Sequence, residues 1–286
     1  MSADPVRLPP KKVAPGTYLI QEVQHALGQP MAVYINSAII LGSEPVIVDT
    51  GSSRNRTGWL DDVFGLVAPD DVRWVFLSHD DADHTGNLAA VMDACPHATL
   101  VCSWALVERF ANAYDFPLER CRWVNNGDSF TAGDRTLVAL RPPVYDSPTT
   151  RGLLDTTTGV YWAVDAFATP VPGGPGAELA DHVTQLDPEA WWGGMVMYGL
   201  HGLSPWLELV DRDRFVATVR DLQQHGMTTI TSAHSPVIDG PSIEVAFDMV
   251  ARLAGTQPPP CPDQSVLEAL LGAAMTPSQA GGYGST

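Results

Sequence analysis

A short apolar run that ends in a burst of ionisable groups limits the folds open to a chain. Residues 72–77 form such a run, and Ser78-His79-Asp80-Asp81-Ala82-Asp83-His84-Thr85-Gly86-Asn87 follows directly. The run reads as a buried strand, which sets the polar cluster at the rim of a sheet. His79 and Asp81 are two apart and share one face of extended chain. Asp83 and His84 follow where the chain turns into a helix led by Thr85-Gly86. One loop can therefore offer two pairs of ligands to two adjacent metal ions. Imidazole and carboxylate both bind transition metals, and carboxylates favour harder ions such as iron or manganese. A polar, helix-capping loop would explain one of these aspartates but not the whole pattern.

The bulk properties narrow the class. The chain has 286 residues, 45% of them hydrophobic, enough for a sizeable core in one large domain or two small ones. The formal net charge of -17 repels a phosphate backbone and argues against a nucleic-acid partner. There is no apolar run long enough to span a bilayer, so no membrane partner is expected. Residues 1–13 are polar and proline-rich without an apolar signal core, so a cytoplasmic location is expected. Cys95, Cys102, Cys121 and Cys261 show no C-x-x-C pairing, and they read as ordinary thiols rather than a thiolate metal site. Glycine-rich nucleotide motifs and the Gly-x-Ser-x-Gly nucleophile elbow are absent from the sequence.

The order of elements is mixed. Residues 17–23, 33–41 and 45–48 read as strands, 56–66 as a helix, 72–77 as a strand, 86–94 as a helix, 99–102 as a strand and 104–113 as a helix. Short strands follow at 122–124, 128–131, 136–140 and 160–164, then helices at 188–200 and 212–225. A strand at 228–232 and a helix at 242–253 close the pattern. This predicts an α/β fold in which two mixed β-sheets face each other with helices outside, an αββα sandwich. Residues 1–16 read as an extended lead-in, 17–255 as the domain, and 256–286 as a Pro/Gly-rich tail with a short helix at 265–275. Residues 169–176 read as a long loop.

The cluster resembles the metallo-β-lactamase fold, whose signature is H-x-H-x-D-H, with Asp81 at the second histidine position. Within that superfamily the chain is most similar to the flavodiiron and oxygen-binding diiron proteins, which carry H-x-E-x-D-H-x-G. Asp81 would stand for the glutamate, one methylene shorter. Asp49-Thr50-Gly51, Asp165-Ala166-Phe167 and His234 in Ser-Ala-His-Ser-Pro carry the resemblance onward, over about residues 17–255. The family supplies a histidine before the bridging aspartate. Here residues 142–148 hold none, and Asp146 replaces it on this reading; otherwise Asp146 is a turn residue. The resemblance implies one metal held by His79, Asp81, Asp146 and Asp165 and a second held by Asp83, His84, Asp165 and His234. Asp49 reads as structural. Four carboxylates balance two divalent ions and favour iron, with manganese or zinc as alternatives.

His25 sits where the diiron family places a pocket histidine. Tyr198 and His201, three apart on an expected helix, would share a face and line the substrate pocket. Trp191, Trp192 and Trp206 read as core or interface. The leading expectation is a diiron oxidoreductase for O2, peroxide or NO, with an external electron donor because the chain ends before a fused flavin domain could follow. A metal-dependent hydrolase of a small ester, lactone or phosphoester is the rival, and a non-enzymatic oxygen or metal sensor the third. The resemblance also implies a homodimer, bridged by the tail.

Overall fold

Apolar residues alternate along the strands, and that alternation separates the interior into three layers. The computed structural model describes residues 5–25, 30–173 and 177–275. The first sheet runs in chain order: β1 (Val6–Ala14), β2 (Thr17–His25), β3 (Met31–Ile40), β4 (Val46–Val48), β5 (Trp74–Phe76), β6 (Thr99–Cys102) and β7 (Cys121–Trp123). Its first four strands are antiparallel neighbours, and β4 to β7 are parallel. The second sheet holds β8 (Ser129–Ala132), β9 (Arg135–Leu140), β10 (Gly152–Asp155) and β11 (Val160–Trp162). A short β12 (Val171–Pro172) pairs with β3 of the first sheet. The second sheet is completed by β13 (Thr229–Thr231), parallel to β11, and β14 (Ile238–Asp239).

Period-2 patterning does the sorting. Val46, Val48, Phe76 and Val101 point inward and meet Leu137, Ala139, Leu153 and Trp162 of the other sheet. Their neighbours Ile47, Val75 and Leu100 point outward, onto Trp59 and Val63 of α1 (Arg56–Leu66). A single turn, α2 (Ala82–Thr85), follows; then α3 (Leu88–Ala94) and α4 (Trp104–Phe110) add Val91 and Leu106 to that outer layer. On the far side, Tyr161 and Ile230 pack under α5 (Pro188–Met197), α6 (Arg212–Gln223) and α7 (Ser242–Leu253). The expected αββα sandwich is the observed fold. Each Val, Ile, Leu or Phe buried in these layers contributes roughly 1.5–3 kcal/mol of transfer free energy.

Some expectations shift. The lead-in read as extended contains β1, paired with β2. The helix expected over 86–94 is α3, which starts two residues later at Leu88 and is set off by a break from the unforeseen turn α2, ending at Thr85. Gly86 lies in the break because a Cβ there would sit 2.4 Å from Ser53 N and 2.6 Å from Gly51 O. The strand β10, with two adjacent leucines and no wider alternation, was not expected. The loop at 169–176 contains β12, and residues 174–176 lie outside the described residues. So do 276–286, the end of the expected tail. The expected helix at 265–275 is α8 (Gln264–Met275), with Val266, Leu267 and Leu271 exposed. No helix among the described residues is long and apolar enough to cross a membrane.

Candidate metal centre

Parallel strands β4 and β5 end side by side, and the loops beyond their carboxyl ends build the site, as open α/β sheets commonly arrange it. Asp49, just past β4, has a left-handed backbone with φ of 56°. Its carboxylate gathers four groups. Oδ1 accepts from Ser78 N at 2.8 Å, and Oδ2 accepts from Ser78 Oγ at 2.6 Å and Trp162 Nε1 at 2.9 Å. The fourth, His84 Nδ1, lies 2.8 Å from Oδ2. Asp49 is thus spent on orienting the loop. It holds Nδ1–H of His84 and turns Nε2 toward the cavity, the usual second partner of a metal-bound histidine. Its structural role was expected from the sequence.

His234 is oriented in the same way from the other sheet. Its Nδ1–H donates to Tyr34 O at 2.8 Å. Asn36 of β3 donates to Ser232 O at 2.8 Å and Ser235 O at 3.1 Å, which fastens the loop to the first sheet. Asp165 arrives on a strained turn between Val164 and Phe167, at φ of 58° and 65°. Such values are unusual for a β-branched or bulky residue, and Val164 O is held by Ser232 Oγ and Ala233 N.

Seven side chains converge. His79, Asp81 and Asp146 form one nest, and Asp83, His84 and His234 another. Asp165 lies between them and also groups with His79 and His84. Its Oδ2 faces His79 Nε2 at 3.4 Å, and its Oδ1 faces His84 Nε2 at 3.1 Å and His234 Nε2 at 3.3 Å. One carboxylate with an oxygen toward each nest has the form of a bridge. His79 Nε2, His84 Nε2 and Asp165 Oδ1 are buried with no hydrogen-bond partner. Unpaired buried polar atoms are costly, and three aimed at one space suit cations there.

The electrostatics agree. Burial lowers the affinity of His234 for a proton, yet Asp165 and Asp83 outweigh it and push its pKa up to about 9. His84 is raised further: burial opposes, but Asp165, Asp49 and Asp83 prevail. Burial alone would raise Asp165, but His79, His84 and His234 hold it well below the usual carboxylate range. Asp83 is likewise depressed, against burial, by His84 and His234. Protons on the imidazoles do the neutralising that two divalent ions could do. The residues fit a dinuclear metal group.

Asp146 reaches this centre because its loop is braced. Asp80, the cluster aspartate outside both nests, accepts from Ser147 Oγ at 2.8 Å and Thr149 Oγ1 at 2.7 Å, and from Arg109 Nε at 2.8 Å. Arg151 N donates to Ser78 O at 2.8 Å. Ser204 Oγ accepts from Tyr145 N and donates to Tyr145 O. These braces were not legible beforehand, since Ser, Thr and Arg in loops carry no distinctive spacing.

Beside the Asp83 nest a cavity of about 470 Å³ is lined by His25, Val33, Ile35, Asp83, Tyr198 and His234, among others. The Tyr198 ring stacks near His234, with centroids 6.3 Å apart. His25 and Tyr198 both line this cavity, although residues 26–28 of the expected His25 loop lie outside the described residues. His201 does not reach it, and this corrects the expectation. The chain leaves α5 at Met197 and passes through a π-helical turn at Tyr198–Leu203. A wider turn breaks the i, i+3 alignment. His201 instead meets Pro259 O at 2.6 Å and Cys261 Sγ at 3.2 Å. Trp191 is core, as expected, but Trp206 is only part-buried and donates to Tyr145 O at 3.1 Å.

With this geometry in hand, comparison with known proteins is direct. The profile of the ODP family beta lactamase matches residues 33–213. The chain belongs to that family. This ODP chain is similar to the anaerobic nitric oxide reductase flavorubredoxin of Vibrio vulnificus, at 24% identity over 133 residues, 46% of this chain and 27% of that protein. Its fold is similar to that of the flavodiiron protein from Giardia intestinalis, with TM-score 0.69, 17% identity and coverage of 86% of this chain and 59% of that one. It is also similar to rubredoxin oxygen:oxidoreductase of Desulfovibrio gigas, with TM-score 0.71, 16% identity and coverage of 87% and 62%. The ODP chain thus spans 27% of the length of that curated relative and about three fifths of the two solved chains.

Proposed function

We propose that this ODP protein is the dinuclear-metal core of an oxidoreductase acting on O2, a peroxide or NO. The observation that carries the reading is Asp165, with one oxygen toward the His79 nest and the other toward the His84–His234 nest. His79, Asp81, Asp146 and Asp165 would hold one metal, and Asp83, His84, Asp165 and His234 the second. When bound, such a pair supplies reversible one-electron changes and a place to bind a small oxygen or nitrogen ligand. Three imidazoles and four carboxylates form a donor set whose charge favours iron or manganese over zinc. His25 and the Tyr198 hydroxyl, its pKa pushed up to about 12 by burial and then by Asp165 and Asp83, would hold a proton at the cavity wall. The related proteins named above include a nitric oxide reductase and an oxygen oxidoreductase. On this reading the electrons come from an external donor, and the chain works as a homodimer in the cytoplasm.

Protein produced in iron-replete cells should carry about two irons per chain, with a visible ferric absorption that bleaches on reduction. Elemental analysis giving stoichiometric zinc and no iron would overturn the assignment of redox chemistry. One observation favours the hydrolase reading. The adjoining cavity of about 470 Å³ exceeds what a diatomic molecule needs, since one water occupies about 30 Å³ of liquid. Turnover of chromogenic esters or phosphoesters, lost in Asp165→Ala, would move the conclusion to hydrolysis.

A further inference from the structure

A different cavity, of about 600 Å³, opens against the loop that carries Asp146. Its walls include Asn126, Arg141, Tyr145, Trp206, Arg214 and Phe215, and none of the seven convergent side chains lines it. Its charge runs against the chain's net -17. Arg141 Nη2 donates to Pro148 O at 2.9 Å, and its guanidinium lies over the Tyr145 ring, 5.1 Å from the centroid. Arg151 Nη1 donates to the same carbonyl at 3.2 Å. Two guanidinium groups therefore stand side by side. Arg151 is only 6% exposed, and the Nε atoms of both arginines are buried without a hydrogen-bond partner. Neither forms an ion pair with a carboxylate among the described residues, and nor does Arg214. Burial, then the neighbouring Arg141 charge, lowers the Arg151 pKa to about 10. The cavity's acidic wall residue, Asp211, is engaged as the cap of α6, accepting from Arg214 N at 2.9 Å.

Paired, partly desolvated cations without an ion-pair partner favour an anion nearby. The rest of the wall is aromatic and apolar, with Tyr145 and Trp206 at a centroid distance of 5.1 Å. The volume suits a small molecule. We propose that this cavity binds a planar aromatic anion, a ring system carrying a carboxylate, sulfonate or phosphate group. The anionic group meets Arg141 and Arg214, and the ring lies against Trp206, Phe215 and Tyr145. Tyr145 directly precedes Asp146, so an occupant sits one residue from the metal centre. The inference does not depend on which metal, if any, that centre holds.

The test uses naphthalene-2-carboxylate as the probe, titrated by calorimetry and by quenching of tryptophan fluorescence into the full chain, first metal-free and then metal-loaded. Saturable 1:1 binding is expected in both forms. The neutral naphthalene-2-carboxamide should bind about tenfold more weakly, the worth of one charge-assisted hydrogen bond. Arg214→Gln, at an exposed position, and Arg141→Gln should each weaken the carboxylate and leave the amide unchanged. Arg252→Gln, whose cation lies over Trp192, should change neither. Equal affinity for acid and amide, indifference to both cavity arginines, or no saturable binding to metal-free protein would overturn the proposal.

Discussion

On the proposed reading Asp146 stands in for the histidine of the resembled diiron family, and its position beside His79 and Asp81 makes that exchange chemically sensible. Its carboxyl pKa is raised by burial, with His79 opposing and Asp165 and Asp81 adding to it. A cation between these acids would relieve the repulsion. Asp146→Ala should therefore reduce bound metal from about two ions per chain to about one, read by elemental analysis. Asp146→His should keep two. Unchanged stoichiometry in the alanine variant would mean that Asp146 is a turn residue. At Asp49 the expectation is different, because it touches His84 rather than the cavity. Asp49→Asn keeps the shape but loses the negative charge beside His84 Nδ1. It should weaken metal affinity about 10–100-fold, the usual effect of removing such a partner, while the fold measured by circular dichroism stays intact.

At the scale of elements, loops rather than strands decide the centre. The aspartate-rich loop and the Asp146 loop are separate segments joined through Asp80. Asp80→Ala removes a carboxylate that accepts from Ser147, Thr149 and Arg109. Hydrogen bonds to charged groups are worth about 1.5–3 kcal/mol each. The variant should melt several degrees lower, and amide exchange should quicken at 145–149 more than in β3. Equal protection of that loop in both proteins would show that the brace is not needed. The strands themselves were largely legible, since apolar runs such as 33–41 and 72–77 belong to strands buried on both faces, one face in each of two layers. The phase of the chain after α5 was not legible. A π-helical turn is set by what Tyr198–Leu203 packs against, and no residue spacing announces it. That is why Tyr198 lines the cavity beside Asp83 and His201, expected on the same face, does not.

For the molecule as a whole, the centre ties both sheets together, so metal binding should be visible in global stability. A ligand at one hundred times its dissociation constant adds about 2.7 kcal/mol per site. Chelator treatment should therefore lower the melting temperature, and added iron(II) should restore it. The pH dependence separates the two states by sign. In metal-free protein the raised pKa of His234, about 9, gives stability that is full below the ordinary histidine value near 6.5. That contribution is lost as pH rises through 9. The depressed pKa values of Asp83 and Asp165 give stability present above about pH 4 and lost in acid. In metal-loaded protein the ions displace those histidine protons, so the metal's contribution should grow over the same range, pH 6.5 to 9. Melting curves with the same slope in both states would contradict the shared site.

The sequence by itself determined the layers and the cluster. Alternating apolar strands can bury their faces only by stacking two sheets under helices, and the 79–84 segment is dense enough in ligands to be read without a partner. Its resemblance to a known family then pointed to Asp165, His234 and Asp146. Tertiary structure alone decided how those ligands are aimed. Asp49 on His84, Tyr34 O on His234 and Asp80 on the Asp146 loop are contacts between residues far apart in the chain. Local sequence carries periodicity and composition, whereas the direction of a side chain depends on which distant groups satisfy its remaining hydrogen bonds.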